Sequence, residues 1–218
     1  MKNHKTFYKR NLPHLQPKNG VFAITICLSG TLPKDRIQTL KDARGIKISE
    51  IKQSDLSKKE KQIARQQAEH LYFGKFDTLL DGEIQGPTWL KNPTIAQLIA
   101  DSLHYRDGQV FKLVAYSIMS NHIHLVIYKC TKQLFLILKD LKSYTGQKAN
   151  EILFGKASKG EKRDNFWQHE SYDHLMRDRT DFNHQVTYAI NNPVKASLVN
   201  DWEAWKFSYL RKEFQYIM

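Results

Sequence analysis

The chain has 218 residues, a hydrophobic fraction of 41% and a formal net charge of +12 at pH 7. This length fits one domain with a buried core. The charge favours a polyanionic partner, nucleic acid before a membrane, because no basic amphipathic helix with an aromatic face stands out. The two cysteines match no disulfide framework or metal-ligand spacing. We find no secretory segment and no apolar run of about 20 residues, so we expect a cytoplasmic protein without a membrane partner.

In chain order, the pattern begins with a buried strand and a long helical region. Residues 21–28 are β-branched, apolar and aromatic, which is typical of a central strand. Residues 34–80 contain many strong helix formers. We interpret them as a helical insertion near 34–80 within a single domain that spans residues 1–218. The stretch over residues 58–70 is nearly all polar, which predicts a solvent-exposed helix.

Two further strands flank a short polar segment, residues 120–124. Residues 111–119 and 125–128 are rich in β-branched and aromatic side chains and predict strands. A helix over residues 93–103, capped by Asn92, precedes them. These elements predict an α+β fold in which helices pack on one face of an antiparallel sheet of four to five strands.

Two helices are predicted after these strands. The helix over residues 131–153, with Thr131 as its expected cap, carries an apolar stripe that would pack on the sheet. Tyr144 lies at the edge of that stripe, where its hydroxyl could face a cleft. A shorter helix is predicted to begin at Thr180 and to stop at Pro193.

The polar segment between the two strands contains His122 and His124. Alternate side chains of a strand share a face, so both imidazoles are expected to point the same way. Their rotamers could then bring one nitrogen of each ring to a single metal ion at about 2.1 Å. The alternative interpretation is a pair of partly exposed strand histidines.

Five segments of the chain, taken in order, match the motifs of one family. Residues 119–124 are similar to its methionine-proline-asparagine-histidine-x-histidine motif, with Ser120 in place of the proline. The other segments are residues 12–16 with the strand that follows, 142–145, 166–173 and 190–196. Together they resemble the single-tyrosine HUH transposases, in particular the REP-associated branch, over nearly the whole chain.

The resemblance implies a ferredoxin-like HUH domain that cleaves and rejoins single-stranded, hairpin-containing DNA through a 5′-phosphotyrosine. Tyr144 would be the nucleophile, and His122 and His124 would hold Mg²⁺ or Mn²⁺ to neutralise charge on the phosphate. Because the tyrosine helix must pack on the sheet, we expect its hydroxyl close to the histidines. The family occurs often as a homodimer, and both a homodimer and a monomer remain open.

The family's third metal ligand is often a polar residue four positions after the tyrosine, which here is Lys148, a poor ligand while protonated. Gln147, Glu170, another residue or water could complete the site. There are two alternative functions. The chain could be a nucleic-acid-binding relative that has lost cleavage, or another metal-dependent phosphodiesterase. The residues expected to attract phosphate are Lys139, Lys142, Lys148, Lys162 and Arg163.

Overall fold

The computed structural model describes residues 7–9, 13–17, 19–81, 86–158 and 164–218. These residues form two compact units. Gly30–Pro87 make up the smaller unit, and the described residues up to Ser29 together with Thr88–Met218 make up the larger one. Lys162 and Arg163 lie outside the described residues.

The larger unit is built on a five-stranded antiparallel sheet. Its strands are β3 (Val21–Cys27), β4 (Lys112–Ile118), β5 (His122–Tyr128), β6 (Tyr172–Met176) and β7 (Ser208–Leu210). They lie in the order β6-β3-β5-β4-β7, so β3, β5 and β4 are the interior strands. Two short strands, β1 (Phe7–Lys9) and β2 (Pro13–Leu15), form a separate antiparallel pair. The predicted α+β fold with an antiparallel sheet is confirmed, and the predicted central strand is β3.

One face of this sheet carries the main apolar core. The register pairs Ile24 with Leu125 and Ile26 with Ile123, which places these side chains on the same face. Two helices, α3 (Pro93–Arg106) and α4 (Leu134–Phe154), cover this face. Their buried residues in the shared core include Ile95, Ile99, Leu103, Leu138 and Leu141.

The other face is covered by a different helix, α5 (Arg179–Lys195). Val186, Ala189 and Ile190 of α5 are buried with Ala115 and Val126 of the sheet in a second core. The expectation that the helices pack on one face only is therefore wrong. An antiparallel sheet can leave one face to solvent, but both faces here are apolar enough to need a cover.

Several predicted helix ends differ from the observed ones because other residues supply the hydrogen bonds. The predicted Asn92 cap is confirmed, since its side-chain oxygen accepts from the Thr94 N–H. The hydroxyl of Thr131 bonds to the Val110 carbonyl, and α4 begins three residues later. Asp178 caps α5 in place of Thr180 by accepting from the Asp181 N–H.

Pro193 does not stop α5, which continues to Lys195. A proline removes one hydrogen bond from a helix interior. In the last turn this loss is limited, and the Ala196 N–H still bonds to the Asn192 carbonyl. The extra turn keeps residues 191–195 on the helix that covers the sheet.

The smaller unit contains two helices, α1 (Lys34–Gln53) and α2 (Lys58–Asp81). Arg44 of α1 donates two hydrogen bonds to the carboxylate of Glu69 on α2, and its guanidinium lies 5.6 Å from the ring centre of Tyr72. This paired contact fixes one helix on the other. Among the described helices of the chain, none is both long and apolar enough to cross a membrane.

Replacing Ile190 with alanine should lower the free energy of unfolding by about 2–5 kcal/mol, because Ile190 is fully buried between α5 and the sheet. Leu198 is 47% exposed, and Leu198→Ala is the matched control, expected to change stability by less than about 0.5 kcal/mol. Urea unfolding measures both values. Equal stability of the two variants would show that α5 does not bury this face.

Candidate metal and nucleophile site

The two histidines of β5 lie side by side on the face covered by α5. The register pairs His122 with Cys27 and His124 with Thr25, and these positions alternate with the apolar core face of the same strands. The His122 Nε2 and His124 Nε2 atoms are 2.9 Å apart. Two ligands at right angles around a metal with bonds of about 2.1 Å would be about 3.0 Å apart. The predicted orientation of both imidazoles toward one point is therefore observed.

Neighbouring side chains fix the orientation of both rings. The Asn121 side-chain oxygen accepts a hydrogen bond of 2.7 Å from His122 Nδ1, which places the proton of this ring on Nδ1. His122 Nε2 then accepts from His124 Nε2–H. On the far side of His124, the Thr25 hydroxyl lies 3.3 Å from Nδ1. A metal bound to both Nε2 atoms would need the His124 proton on Nδ1, where Thr25 Oγ1 can accept it.

Both rings are buried and neutral. His122 is 2% exposed and His124 is 3% exposed. Burial, with a smaller contribution from the charge of Lys195, lowers the pKa of His122 to about 3. Burial also holds the pKa of His124 well below its usual range, with the charges of His122 and Lys195 acting in the same direction. Neutral imidazoles with available lone pairs are the form that binds metal.

Tyr144 does not lie beside the histidines. It is on α4, which packs on the opposite face of the sheet, and 48% of its surface is exposed. Its ring contacts Arg106 of α3, whose guanidinium carbon lies 5.7 Å from the ring centre. The expectation that packing of the tyrosine helix brings this hydroxyl to the histidine pair is wrong, because the apolar stripe of α4 covers the apolar face.

A different tyrosine contacts one histidine of the pair. The ring centre of Tyr188 on α5 lies 5.3 Å from that of His124, and the two rings meet edge to face. Tyr188 is not among the site residues that the sequence pattern predicted, although it lies two residues before the segment 190–196 that resembles the family's C-terminal signature. It follows Val186 and precedes Ala189, both of which are buried against the histidine face.

Asn192 lies one helical turn after Tyr188, on the same side of α5. Its side chain is completely buried, and neither its oxygen nor its nitrogen has a hydrogen-bond partner among the described residues. A buried amide without partners costs on the order of 1–3 kcal/mol, so its presence suggests a missing partner. An amide oxygen is a suitable ligand for Mg²⁺ or Mn²⁺.

The two residues expected as third ligands are placed elsewhere. Gln147 is exposed on α4 and donates to Glu151. Glu170 is buried and lines a cavity of about 620 Å³ beside α4, together with Lys139 and Lys142. Within the described part of the chain, no group of three His, Cys, Asp or Glu residues could hold a metal ion. Among the described residues, His122, His124 and the Asn192 amide are the side chains on this face that could hold a metal ion.

The predicted phosphate-binding lysines of α4 have other contacts. Lys142 donates to the carbonyls of Gln168 and His169, which fixes the loop before β6 to the helix. Lys148 is exposed and pairs with Glu151 at 2.7 Å, and this contact raises the pKa of the lysine. Lys139 is exposed at the cavity. These three side chains lie on the helix that covers the face opposite the histidines.

Comparisons with known proteins give one structural likeness. No family model matches the chain, and no curated protein matches it. A solved structure of a REP-associated tyrosine transposase bound to a REP hairpin is similar over 92% of this chain and 80% of that chain. The sequence identity is 17% and the TM-score is 0.44. A likeness of this degree describes structure and assigns neither a family nor an activity.

The buried histidines should make the metal-free protein less stable in mild acid. An unfolded histidine titrates near pH 6.5 and folded His122 near pH 3, so below pH 6.5 the unfolded chain binds more protons. Their stabilising contribution is complete above about pH 6.5 and is lost as the pH falls toward 3. His122 alone should account for about 2 kcal/mol between pH 7 and pH 5.

Urea unfolding in the presence of a chelator at pH 7, 6 and 5 measures this loss, and a His122→Gln, His124→Gln double variant is the reference. The difference in stability between wild type and variant should shrink as the pH falls. A difference that stays constant across this range would mean that the two rings are not held neutral.

Proposed function

We propose that this protein is a metal-dependent enzyme that cleaves and rejoins single-stranded, hairpin-containing DNA through a covalent link to Tyr188. The observation that carries the proposal is the contact between Tyr188 and His124 at 5.3 Å on a buried face that also holds His122. The net charge of +12 supports a polyanionic substrate. The motif resemblance to the single-tyrosine HUH transposases supports DNA as the substrate and transposition as the reaction.

The donor set would hold Mg²⁺ or Mn²⁺ on His122, His124 and Asn192. Such an ion supplies a positive charge for a non-bridging phosphate oxygen. In this arrangement the third ligand follows the tyrosine by four positions on the same helix, which is often the spacing in the family that the chain resembles. An imperfect third ligand at Lys148 is the main support for a cleavage-deficient binding protein, and a ligand role for Asn192 would remove that support.

The residues of the chain itself position the reacting groups. Asn121 and Thr25 orient the two imidazoles, and α5 holds the Tyr188 ring against His124. The phenol oxygen of Tyr188 would form a bond to phosphorus as the bond from phosphorus to the 3′ oxygen breaks. The phenol loses one proton and the 3′ oxygen takes one up, so the DNA keeps a free 3′ hydroxyl.

A single copy of the chain carries every group of this site. Tyr188 contacts His124 within one protomer, so the proposed chemistry needs no residue from a second copy. We therefore propose a protein that can act as a monomer on DNA, with dimerisation not required for cleavage.

Tyr188→Phe should abolish covalent attachment to DNA while leaving the fold and DNA binding intact, because it removes only the hydroxyl. The substrates are 3′-fluorescein-labelled single-stranded oligonucleotides that each contain one hairpin with randomised flanking sequences, incubated with Mn²⁺. A denaturing gel then shows the labelled protein adduct. Tyr144→Phe is the matched control and should form the adduct at the wild-type rate. An adduct with the Tyr188 variant, or its loss in the Tyr144 variant, would restore Tyr144 as the nucleophile.

Asn192→Ala should weaken Mn²⁺ binding to the free protein at least about tenfold, since it removes one of three ligands. Its stability should change little, because the amide that is removed has no partner among the described residues. Calorimetric titration of Mn²⁺ measures the affinity, with Asn191→Ala as the control on the neighbouring position. Unchanged Mn²⁺ affinity in the Asn192 variant would place the third ligand elsewhere.

A further inference from the structure

A cation lies close to the proposed nucleophile on the same helix. Lys195 follows Tyr188 by seven residues, which is two helical turns, so both side chains share one side of α5. The Nζ atom of Lys195 lies 5.3 Å from the centre of the Tyr188 ring. The lysine itself is exposed, so its ammonium group can reach a ligand that approaches from solvent.

A second observation places the same charge near the histidines. The Tyr188 ring that this ammonium contacts also meets His124 edge to face, with the two ring centres 5.3 Å apart. Asn192 lies on the turn between Tyr188 and Lys195. One tyrosine ring therefore contacts both a histidine of the proposed metal site and a cation.

We propose that Lys195 is a further catalytic residue, whose ammonium binds the non-bridging oxygens of the phosphate that Tyr188 attacks. This inference rests on the function proposed above. The phosphodiester carries one negative charge, and its oxygens gain charge as the bond from Tyr188 forms and the bond to the 3′ oxygen breaks. A fixed cation beside the phosphorus stabilises that state more than the bound substrate, which is the requirement for faster chemistry.

The chain offers a matched control for this lysine. Lys206 is also exposed, and its Nζ atom lies 5.3 Å from the ring centre of Phe207. Removing either charge changes the net charge of the protein by the same amount and disrupts the same kind of cation–ring contact. Only Lys195 lies on the helix that carries Tyr188.

The experiment compares wild type, Lys195→Gln, Lys195→Arg and Lys206→Gln in single-turnover adduct formation, with the same 3′-labelled hairpin oligonucleotides and saturating Mn²⁺. Tyr188→Phe is included as the variant that reports the proposed function. Lys195→Gln should slow adduct formation by about 100-fold, the effect of removing one charged donor from a phosphoryl or acyl transition state. Lys195→Arg should stay within about tenfold of wild type, and Lys206→Gln should match wild type.

Two equilibrium measurements separate a catalytic role from a structural one. If Lys195 contacts the phosphate, Lys195→Gln should reduce the log–log salt slope of oligonucleotide binding by about 0.7, the contribution of one neutralised phosphate in a single strand. The same variant should bind Mn²⁺ more tightly in the absence of DNA, because a positive charge near the metal ligands has been removed. A lysine that only supports the helix would change neither quantity in these directions.

The results distinguish a failure of the role proposed for Lys195 from a failure of the proposed function. If wild type forms the adduct, Tyr188→Phe does not, and Lys195→Gln reacts as fast as Lys206→Gln, the role of Lys195 is overturned and the proposed function stands. If Lys195→Gln and Lys206→Gln are slowed equally, the effect is one of net charge and the proposal is also overturned. If wild type forms no adduct with any oligonucleotide of the set, both the function and the role of Lys195 fail together.

Discussion

The alternation of side chains along β5 is the constraint on which the site depends. Ile123 and Leu125 point to one face of the sheet, and His122 and His124 point to the other. A helix with a continuous apolar stripe must cover the first face, because the free energy of folding comes mainly from apolar burial. The helix that remains for the histidine face can then carry polar groups toward the strand. The strand pattern thus decides which helix can supply a nucleophile.

The face of the sheet that carries the histidines has buried polar atoms without hydrogen-bond partners among the described residues. Such atoms are typical of a functional site. The burial of two imidazoles is offset by hydrogen bonds to Asn121 and Thr25. Asn192 has no such compensation among the described residues, and neither has the Ser117 hydroxyl, which lies on β4 directly opposite His124. Unsatisfied polar atoms lower stability, so a chain that keeps them beside a histidine pair is consistent with a ligand that supplies the missing partners.

Much of the fold could be predicted from the sequence because local signals agree with tertiary packing there. The strands around the histidines, the central strand β3 and the helix capped by Asn92 all have strong periodicity or end signals. The sequence pattern of α5 predicts that Val186 and Ile190 point inward, but it does not indicate which face of the sheet they cover. Its polar composition resembles that of a surface helix, and Pro193 resembles a stop. Val186 and Ile190 are buried against the second face, and the helix continues past the proline to Lys195.

The two faces of β5 decide which tyrosine lies on the histidine side of the sheet and which residue follows that tyrosine by four positions. The stripe of α4 contains Leu138 and Leu141, and such a stripe fits the Ile123 face, not a face that carries two histidines. The tyrosine of α4 is therefore excluded from the histidine side by the same packing that was expected to deliver it. When Tyr188 on α5 is the nucleophile, the residue four positions after it is the buried Asn192. The residue at the same spacing after Tyr144 is the protonated Lys148. In the proposed arrangement the third metal ligand is therefore an amide oxygen, which suits Mg²⁺ or Mn²⁺.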